Sequence, residues 1–555
     1  MAGSDRAPMR RAAWAGLYAL PVAFLAIFFF HPLLNILGYS LAPQGQVDLS
    51  VLLSLANSDY YRQTLSFTLW QAALSTFFTL LLALPSAYVL ARYQFRGRNA
   101  LLSVAALPFI LPTVIVAVGF QTLLGDRGLL NEALAALLGL ETGPLRLERS
   151  LPLILIAHVF YNYGLAVRLL TSYGASLSVR YEEAARTLGL GTWGVWRRVT
   201  WPLLRPALSG VALLVFIFNM TSFGVIVILG GVRFATLEVQ IFYQAVSLFN
   251  LSSAAALSLV QMGLASLAFG LYGRWQRTAF PIQTQSEALL RRPSGWGARS
   301  AIGGIVIFVV LGVSAPLLAL VWRSLSWRGA FSLRHYLSLL EGETRALAVP
   351  IGVGVTNSLI LAAVAVFLAL MLGLLAAHML KRGWRWLDGL FMLPLATSAV
   401  TLGLGYTLSF DQPPLNLRGS WVVLPILHAL VALPFVVRTV LPALRAIPPN
   451  MLAAAATLGS GPMTRWWRIE RPLTTRAISI SALFAFTVSL GEFGASLFVV
   501  RPNLPTLPIM IYRLLGQPSR ESYGQALALS VILLLLCALA FFFMERLRRA
   551  SGSGF

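Results

Sequence analysis

The sequence is poor in charged residues, which make up 11% of its 555 positions, whereas soluble globular proteins carry about 25%. Its single cysteine, Cys537, excludes an internal disulfide, and the surrounding leucines indicate a buried apolar thiol. Its single lysine, Lys381, follows no glycine-rich loop, so the chain has no Walker A sequence that could hold ATP phosphates. These scarcities argue against a soluble enzyme and against an ATPase.

The five histidines have no spacing typical of a metal site, and no nucleophile with a matching base stands out. We therefore expect no catalytic residue and no metal-binding residue. Two of the histidines, His158 and His428, lie within apolar stretches. For both, an interhelical hydrogen bond is favoured over contact with a substrate.

Apolar residues are abundant: 58% of the chain is hydrophobic, and the mean hydropathy is +0.77. A membrane-spanning helix needs about 20 apolar residues, and such stretches recur along the whole chain. The net charge of +23 does not indicate nucleic acid, because the basic residues lie in short loops between apolar stretches. The sequence predicts an all-α polytopic membrane protein with about twelve helices, at residues 14–38, 64–91, 100–124, 151–172, 206–231, 252–272, 301–323, 347–380, 387–410, 420–441, 477–500 and 523–544.

The basic residues also predict the orientation. With the N-terminus in the cytoplasm, 29 of the 42 basic residues lie in or beside cytoplasmic loops, which places both termini inside. The apolar stretch from Trp14 to Leu37 follows three arginines, as in a signal peptide, but it exceeds the usual core of about 7–15 residues. We predict that it is the first span of a multi-pass protein of the bacterial inner membrane.

An internal repeat is visible at an offset of 270 residues. The matching pairs are His158 and His428, Arg168 and Arg438, Gly189 and Gly459, Pro202 and Pro472, Phe223 and Phe493, Thr236 and Thr506, and Leu257 and Leu527. Each half has an even number of spans, so the repeat predicts two parallel, pseudo-symmetric halves. The predicted parts are a first transmembrane domain at 1–275, a cytoplasmic linker at 276–300 and a second transmembrane domain at 301–555. This duplication favours transport over a membrane enzyme or a scaffold.

The predicted cytoplasmic loop between the fourth and fifth spans of each half carries one spaced motif. In residues 180–205 it consists of Glu183, Ala184, Ala185, Gly189 and Pro202, and in residues 450–475 of Ala453, Ala454, Ala455, Gly459 and Pro472. Alanines let a short helix pack closely on a partner, the glycine permits a left-handed turn, and the proline suits the first turn of the next span. The motif resembles the EAA loop of ATP-binding-cassette importer permeases, although Ala453 replaces the glutamate in the second copy.

The resemblance implies the type I ABC importer permease fold and a chain that is not itself an enzyme. Each EAA loop would form a coupling helix that docks on one of two copies of a cytoplasmic ATPase. ATP and Mg²⁺ would bind to that ATPase, and no cofactor is expected on this chain. One extracytoplasmic substrate-binding protein and membrane lipid are the other expected partners, and nucleic acid is not. Because Glu183 has no counterpart at Ala453, we expect the two docking sites to be energetically unequal.

Polar residues in the fifth span of each half are candidates for the translocation pathway. Glu492 is the clearest, because ionisable groups inside a membrane are costly and often functional. Its repeat partner is Ser222, and Asn219 and Thr221 lie close by in sequence. Both Ser222 and Glu492 are predicted near the middle of their spans. A structural hydrogen bond to a neighbouring helix is the alternative role for Glu492.

The whole chain resembles the fused two-half permeases of thiamine and ferric-iron importers. Segments such as Thr236-Leu237-Glu238-Val239 and Thr506-Leu507-Pro508 favour thiamine or its phosphate, with ferric iron as the alternative. A proton-driven secondary transporter that uses Glu492 is a rival of a different class, but it would need no repeated EAA loops. A membrane enzyme of lipid metabolism is a weaker rival, because no catalytic constellation is present.

Overall fold

The structure is a computed structural model that describes residues 6–42, 46–177, 179–279, 290–340, 347, 349–411, 413, 415–417 and 419–549. It is almost entirely helical, and its one hairpin joins β1 (Ser326–Trp327) to β2 (Ala330–Phe331). The helices before residue 280 are α1 (Arg6–Leu25), α2 (His31–Leu41), α3 (Ser50–Asn57), α4 (Asp59–Arg92), α5 (Arg98–Ile110), α6 (Thr113–Leu124), α7 (Leu129–Leu138), α8 (Leu151–Ser176), α9 (Val179–Thr187), α10 (Thr192–Val195), α11 (Trp201–Met220), α12 (Gly224–Leu229), α13 (Leu237–Phe242) and α14 (Leu251–Ala279).

The second half continues with a similar succession of long and short helices, in which α7 has no counterpart. They are α15 (Trp296–Ser324), α16 (Arg334–Leu340), α17 (Ile351–Lys381), α18 (Asp388–Ala396), α19 (Ala399–Ser409), α20 (Val423–Arg445), α21 (Pro449–Thr457), α22 (Pro462–Arg465), α23 (Arg471–Gly491), α24 (Ser496–Val499), α25 (Leu507–Leu515) and α26 (Arg520–Arg549). Single π-helical turns at Trp196–Thr200 and Trp466–Glu470 precede α11 and α23 at equivalent positions of the repeat.

The predicted membrane architecture is confirmed. Within the described residues, eleven helices are long and apolar enough to span a membrane, or twelve if the bent pair α18 and α19 counts as one span. The predicted third and ninth spans are both interrupted. The third breaks at Leu111 and Pro112, because the residue before a proline is disfavoured in the helical conformation. The ninth bends by 97° between α18 and α19.

The predicted fifth and eleventh spans, at 206–231 and 477–500, are also revised by the structure. Their long helices start earlier, and they end at Met220 and Gly491. Short helices α12 and α24 follow after breaks of three and four residues. A Phe-Gly pair lies at or inside each break, where glycine eases the change of backbone direction.

Two compact units make up the chain. Unit A comprises Ser54–Gln240 and Val260–Ser332, and unit B comprises Met1–Leu53, Ile241–Leu259 and Leu333–Phe555. These units do not coincide with the sequence halves, because the first span belongs to unit B and the seventh, α15, belongs to unit A. The division of the sequence at 276–300 stays a prediction about the repeat. Residues 280–289 of that linker lie outside the described residues, and α14 extends to Ala279.

Unit A is organised around the pairing of α4 with α8, against which α5 and α11 also pack. The side chains that α4 buries there are small, among them Ser75, Thr79 and Ala83. Small residues allow helix backbones in a membrane to approach closely. The seventh span, α15, packs on α5 and α6.

Unit B is organised around the pairing of α17 with α20, and α23 packs against both. The last helix, α26, packs on α23 and α25. The buried stripe of α17 is again small, with Ala362, Ala365, Ala369 and Gly373, and Val436 of α20 packs onto Gly373. The first span adds to this unit, because α1 packs on α17 and α2 on α19.

The two halves differ in length after Pro108 and Pro394. Pro108 and Pro394 are separated by 286 residues, whereas His158 and His428 are separated by 270, so the first half has 16 more residues between these markers. The extra length corresponds to α7 and the loop that follows it. The 270-residue register therefore begins after this insertion.

The close approach of α8 to α5 depends on Gly164. A methyl group there would collide with the carbonyl oxygen of Ala105, whereas Gly210 in α11 has open space around the same position. We expect Gly164→Ala to destabilise the protein by about 1–3 kcal/mol through overpacking, and Gly210→Ala to be neutral or slightly stabilising. Thermal unfolding of the purified full chain in detergent measures both. Equal melting temperatures for the two variants would contradict this packing.

Candidate functional site

The two EAA loops have the same local geometry despite their different sequences. In the first loop, α9 ends in a glycine turn in which the Leu190 N–H donates to the Ala185 carbonyl at 3.1 Å. In the second, α21 ends likewise, and the Ser460 N–H donates to the Ala455 carbonyl at 3.0 Å. Gly189 and Gly459 have φ of +85° and +78°, the left-handed conformation that the sequence predicts.

The prolines of the motif also occupy the predicted position. Pro202 and Pro472 lie in the first turn of α11 and α23, directly after the π-helical turns that lead into these helices. Each loop is thus a short helix, a left-handed glycine, a second short helix and a π-helical turn that leads into a long span. The motif therefore sets the backbone path in both halves.

Each loop exposes apolar residues at equivalent positions. Ala184 and Ala454 are exposed, while Ala185 is buried and Ala455 half-buried. The leucine before each turn glycine projects outward: Leu188 is 82% exposed and Leu458 is 85% exposed. Exposed apolar side chains repeated at equivalent positions offer matching contact points to a partner.

The two neighbouring glutamates of the first loop have different environments. The Glu182 carboxylate is largely buried, forms an ion pair with Arg92 at the end of α4, and accepts a hydrogen bond from Thr200 Oγ1 at 2.7 Å. Glu183 is exposed, and its carboxylate pairs with Arg291 at 2.6 Å. Glu182 therefore ties the loop to unit A, and Glu183 remains accessible. The sequence reasoning selected Glu183 and missed Glu182.

The second loop is anchored by a different residue. Its helix α21 contains no acid, and Ala453 stands at the position of Glu183. An anchoring carboxylate lies instead on Glu470, which is equivalent to Thr200 in the repeat. It accepts a hydrogen bond from Lys381 Nζ at 2.7 Å and lies 3.3 Å from His378 Nε2. The basic end of the second span of each half thus meets an acid, supplied by the loop helix in one half and by the π-helical turn in the other.

The candidate pathway residues lie at helix breaks, and their predicted place near the middle of a span is wrong. Asn219 is in the last turn of α11, and Thr221 and Ser222 follow its end. Glu492 follows the end of α23. The span helices end earlier than predicted because hydropathy alone does not register the change of direction at the Phe-Gly pairs.

Glu492 caps the short helix α24. Its carboxylate accepts hydrogen bonds from the N–H groups of Ala495 and Ser496, both at 2.9 Å, and from the Ser496 hydroxyl. These N–H groups have no partner inside so short a helix, and a carboxylate at its start satisfies them. Glu492 is 7% exposed, so its oxygens are occupied by this structural role.

Both predicted histidine bridges are present. In unit A, His158 Nδ1 lies 3.1 Å from Ser75 Oγ on α4 and His158 Nε2 lies 2.9 Å from Ser222 Oγ. In unit B, His428 joins Ser489 of α23 to Ser496 of α24, at 2.8 and 2.9 Å. Each imidazole fixes the end of the fifth-span helix relative to its neighbours.

Asn219 belongs to a buried amide cluster in unit A. Asn162 Nδ2 donates to Asn219 Oδ1 at 2.8 Å, and Gln71 Nε2 donates to the Asn219 carbonyl at 3.1 Å. Among the described residues, Gln71 Oε1 has no hydrogen-bond donor. The cluster joins α4, α8 and α11 just before the break. No group of three His, Cys, Asp or Glu side chains close enough to hold a metal ion occurs in the described part of the chain.

Comparison with known proteins gives matches over both halves. The family described as binding-protein-dependent transport system inner membrane component matches residues 79–280 and 369–551. The thiamine transport system permease protein ThiP of Brucella suis is 29% identical to this chain over 521 residues, covering 87% of this chain and 88% of that protein. ThiP of Escherichia coli is 28% identical over 496 residues, covering 88% of this chain and 89% of that protein.

A solved structure that matches part of the chain is that of a bacterial ABC transporter involved in the import of the acidic polysaccharide alginate. It is 17% identical, with a TM-score of 0.42, and the match covers 50% of this chain and 99% of that chain.

The unequal burial of the two glutamates predicts unequal effects on the first loop. We expect Glu182→Gln to speed hydrogen exchange of the α9 amides about tenfold, since hydrogen bonds to charged groups contribute about 1.5–3 kcal/mol. Glu183→Gln should change exchange less than about threefold, because exposed ion pairs contribute roughly 0–1 kcal/mol. Hydrogen–deuterium exchange of the purified full chain measures both, and an equal acceleration would refute the anchoring role of Glu182.

The cap at α24 yields a second prediction. Glu492→Gln places an amide NH₂ where donors already converge, so we expect it to destabilise the protein by about 1–3 kcal/mol. Ser222→Ala, at the equivalent position of unit A, removes a single hydrogen bond and should cost about 1 kcal/mol. Thermal unfolding in detergent compares them. The cap is disproved if Glu492→Gln melts at the wild-type temperature.

Proposed function

Because the chain belongs to the family of binding-protein-dependent transport system inner membrane components, we propose that it is the fused permease of an ATP-driven thiamine importer. The family match covers most of both halves, so the chain is a multi-pass membrane component of a transport system that works with a substrate-binding protein. The proposal adds the substrate, the ATPase partners and the orientation in the membrane.

The observation that carries the ATPase proposal is the shared geometry of the two EAA loops. Two loops of unlike sequence keep the same short helix, left-handed glycine and exposed leucine. Neither Leu188 nor Leu458 supports the core, so their exposure is best explained by a partner. Two copies of one ATPase would each receive one loop, and ATP and Mg²⁺ would bind on those subunits, not on this chain.

The proposed orientation places both EAA loops and both termini in the cytoplasm. It rests on the excess of basic residues in the loops on that side, which are retained there during membrane insertion. The extracytoplasmic side then receives the substrate-binding protein.

Thiamine is favoured as substrate because the ThiP relatives match 87–89% of the chain, with 26–29% identity across the Brucella, Escherichia coli and Haemophilus influenzae proteins. No feature of the structure favours ferric iron specifically. Iron is therefore an outcome that the uptake assay below would reveal.

In the proposed mechanism, ATP-driven closure of the two ATPases moves the EAA loops, and the long spans carry this motion to the helix breaks. The π-helical turns at Trp196–Thr200 and Trp466–Glu470 join each loop directly to its span, without an intervening flexible segment. Asn219, Thr221, Ser222 and Glu492 concentrate polarity at the breaks. We place the translocation pathway at the level of these two helix breaks. Glu492 contributes mainly by capping α24.

The test is uptake of radiolabelled thiamine by vesicles that contain this chain, its ATPase and its binding protein, with ferric iron as the competing substrate. Glu183→Ala should weaken ATPase co-purification and thiamine uptake more than Ala453→Ser does, because only the first loop carries the accessible carboxylate. Folding should survive, since Glu183 is exposed.

Wild-type assembly and uptake in the Glu183→Ala variant would rule out the unequal docking. Uptake of iron without uptake of thiamine would overturn the substrate. Uptake that persists without ATP would overturn the whole proposal in favour of a secondary transporter.

A further inference from the structure

A cavity of about 770 Å³ lies in unit A, between the ends of α4 and α8 and the first EAA loop. One end is lined by aliphatic side chains of the membrane spans, including Leu81, Leu84 and Leu170. The other end is lined by Arg92, Arg291 and Glu182, so two guanidinium groups and one carboxylate lie there and the cations are in excess. A cavity with an apolar end and a cationic end matches an amphiphile that has a hydrocarbon tail and an anionic head.

The apolar end is continuous with the outer face of α4. Leu81 is 53% exposed, and Phe77, one turn earlier on the same helix, is 58% exposed. In a membrane span, such an exposed apolar face meets lipid hydrocarbon. An acyl chain can therefore enter the cavity from the bilayer without crossing a polar surface.

The polar end has the composition of a membrane interface. The indole rings of Trp193 and Trp196 are stacked, with centroids 5.0 Å apart, and Trp196 stacks on Trp201 at 5.5 Å. The Arg92 guanidinium lies 4.1 Å from the centroid of the Tyr88 ring. Tryptophan and tyrosine concentrate at the headgroup level of membranes. The aromatic cluster therefore marks the depth at which a headgroup would lie.

The two arginines can serve a phosphate as well as their carboxylates. Each ion pair uses one terminal nitrogen, Arg92 Nη2 with Glu182 and Arg291 Nη2 with Glu183. A guanidinium carries five N–H donors, so further N–H groups are available on each side chain. Arg291 is also held in place by its backbone, which exchanges hydrogen bonds of 2.8 and 2.9 Å with Arg92 and Gln94.

We propose that this cavity binds one anionic phospholipid, with an acyl chain along Leu81 and Leu84 and the phosphate at Arg92 and Arg291. Basic pockets between membrane helices on the cytoplasmic side are known to suit anionic headgroups. Assignment to the cytoplasmic leaflet rests on the proposed orientation, but the binding itself does not. Because Glu182 and Tyr181 of α9 line the same cavity, the lipid also contacts the first EAA loop.

The second half has different chemistry at the equivalent positions. Met463 replaces Trp193, Arg471 replaces Trp201, and Glu470 replaces Thr200. The Glu470 carboxylate already binds Lys381 and His378 there. Two of the three stacked tryptophans of the first cavity are therefore absent from the second half, so the aromatic lining belongs to the first half and makes the two EAA loops unequal in a second way.

Lipid binding is measured by native mass spectrometry of the purified full chain in detergent. Dioleoyl phosphatidylglycerol is titrated against dioleoyl phosphatidylcholine, which has the same acyl chains without the net charge. We expect the first phosphatidylglycerol to bind at least about fivefold more tightly, as one arginine contributes at a membrane surface. Arg291→Gln should remove about fivefold of that preference.

Two matched control variants distinguish binding of the lipid headgroup from binding of the acyl chain. Arg445→Gln removes the same charge from an exposed site at the end of α20 and should leave the preference intact. Leu84→Trp fills the apolar end and should weaken both lipids, whereas Leu535→Trp on the exposed face of α26 should weaken neither. Gel filtration confirms that each variant is folded.

Equal affinity for the two lipids would overturn the proposal, as would equal losses in Arg291→Gln and Arg445→Gln. Displacement of phosphatidylglycerol by inorganic phosphate, with Leu84→Trp silent, would show a free anion site without a tail. Loss of ATPase co-purification in Leu84→Trp with unchanged lipid binding would assign the cavity to the ATPase instead. Because no substrate or ATPase enters the lipid titration, a failure of the thiamine proposal leaves its outcome unaffected.

Discussion

Each helix break in a membrane span leaves backbone N–H and C=O groups without helical hydrogen bonds, and hydrocarbon offers them no partner. The architecture of this chain depends on the side chains that form hydrogen bonds at those breaks. At the break after α23, the Glu492 carboxylate accepts hydrogen bonds from two N–H groups and a hydroxyl of the following turn. His428 then ties that turn to α20. In unit A, His158 holds Ser222 in the equivalent place. Both breaks are consequently held by side-chain hydrogen bonds.

The two halves of the repeat keep the same anchoring contacts but form them with different residues. A carboxylate opposes the basic end of the second span in each half, but it comes from Glu182 on the loop helix in one and from Glu470 on the π-helical turn in the other. Electrostatics requires only that an acid reach the cation, so the acid can move between nearby positions during divergence. The consequence is that α9 is tethered by its own side chain, whereas α21 is free of this tether. The first loop is therefore anchored through its own helix, and the second through the π-helical turn that leads into α23.

Much of this could be predicted from the sequence, because long apolar stretches, left-handed glycines and first-turn prolines are local properties. The number of spans and the turns at Gly189 and Gly459 follow from such signals. The break at Pro112 was also readable, since a proline restricts the residue before it. The sequence does not show which of two neighbouring glutamates points into the protein. Glu182 and Glu183 differ by about 100° around a helix, and only the position of Arg92 and Arg291 decides which one is buried. The capping by Glu492 was missed as well, because hydropathy treats a broken span as continuous.

The extra length of the first half provides an additional side-chain contact. The 16 additional residues of the first half supply α7, and Glu132 of that helix pairs with both terminal nitrogens of Arg323 on the seventh span, at 3.1 and 3.0 Å. In unit B, Asn35 of the first span donates a hydrogen bond of 2.8 Å to Ser409. A bidentate arginine pair fixes orientation as well as distance, whereas one amide hydrogen bond fixes distance alone. The insertion thus gives the seventh span a bidentate ion pair in unit A, so the two halves differ in their side-chain contacts at these span ends as well as at the EAA loops.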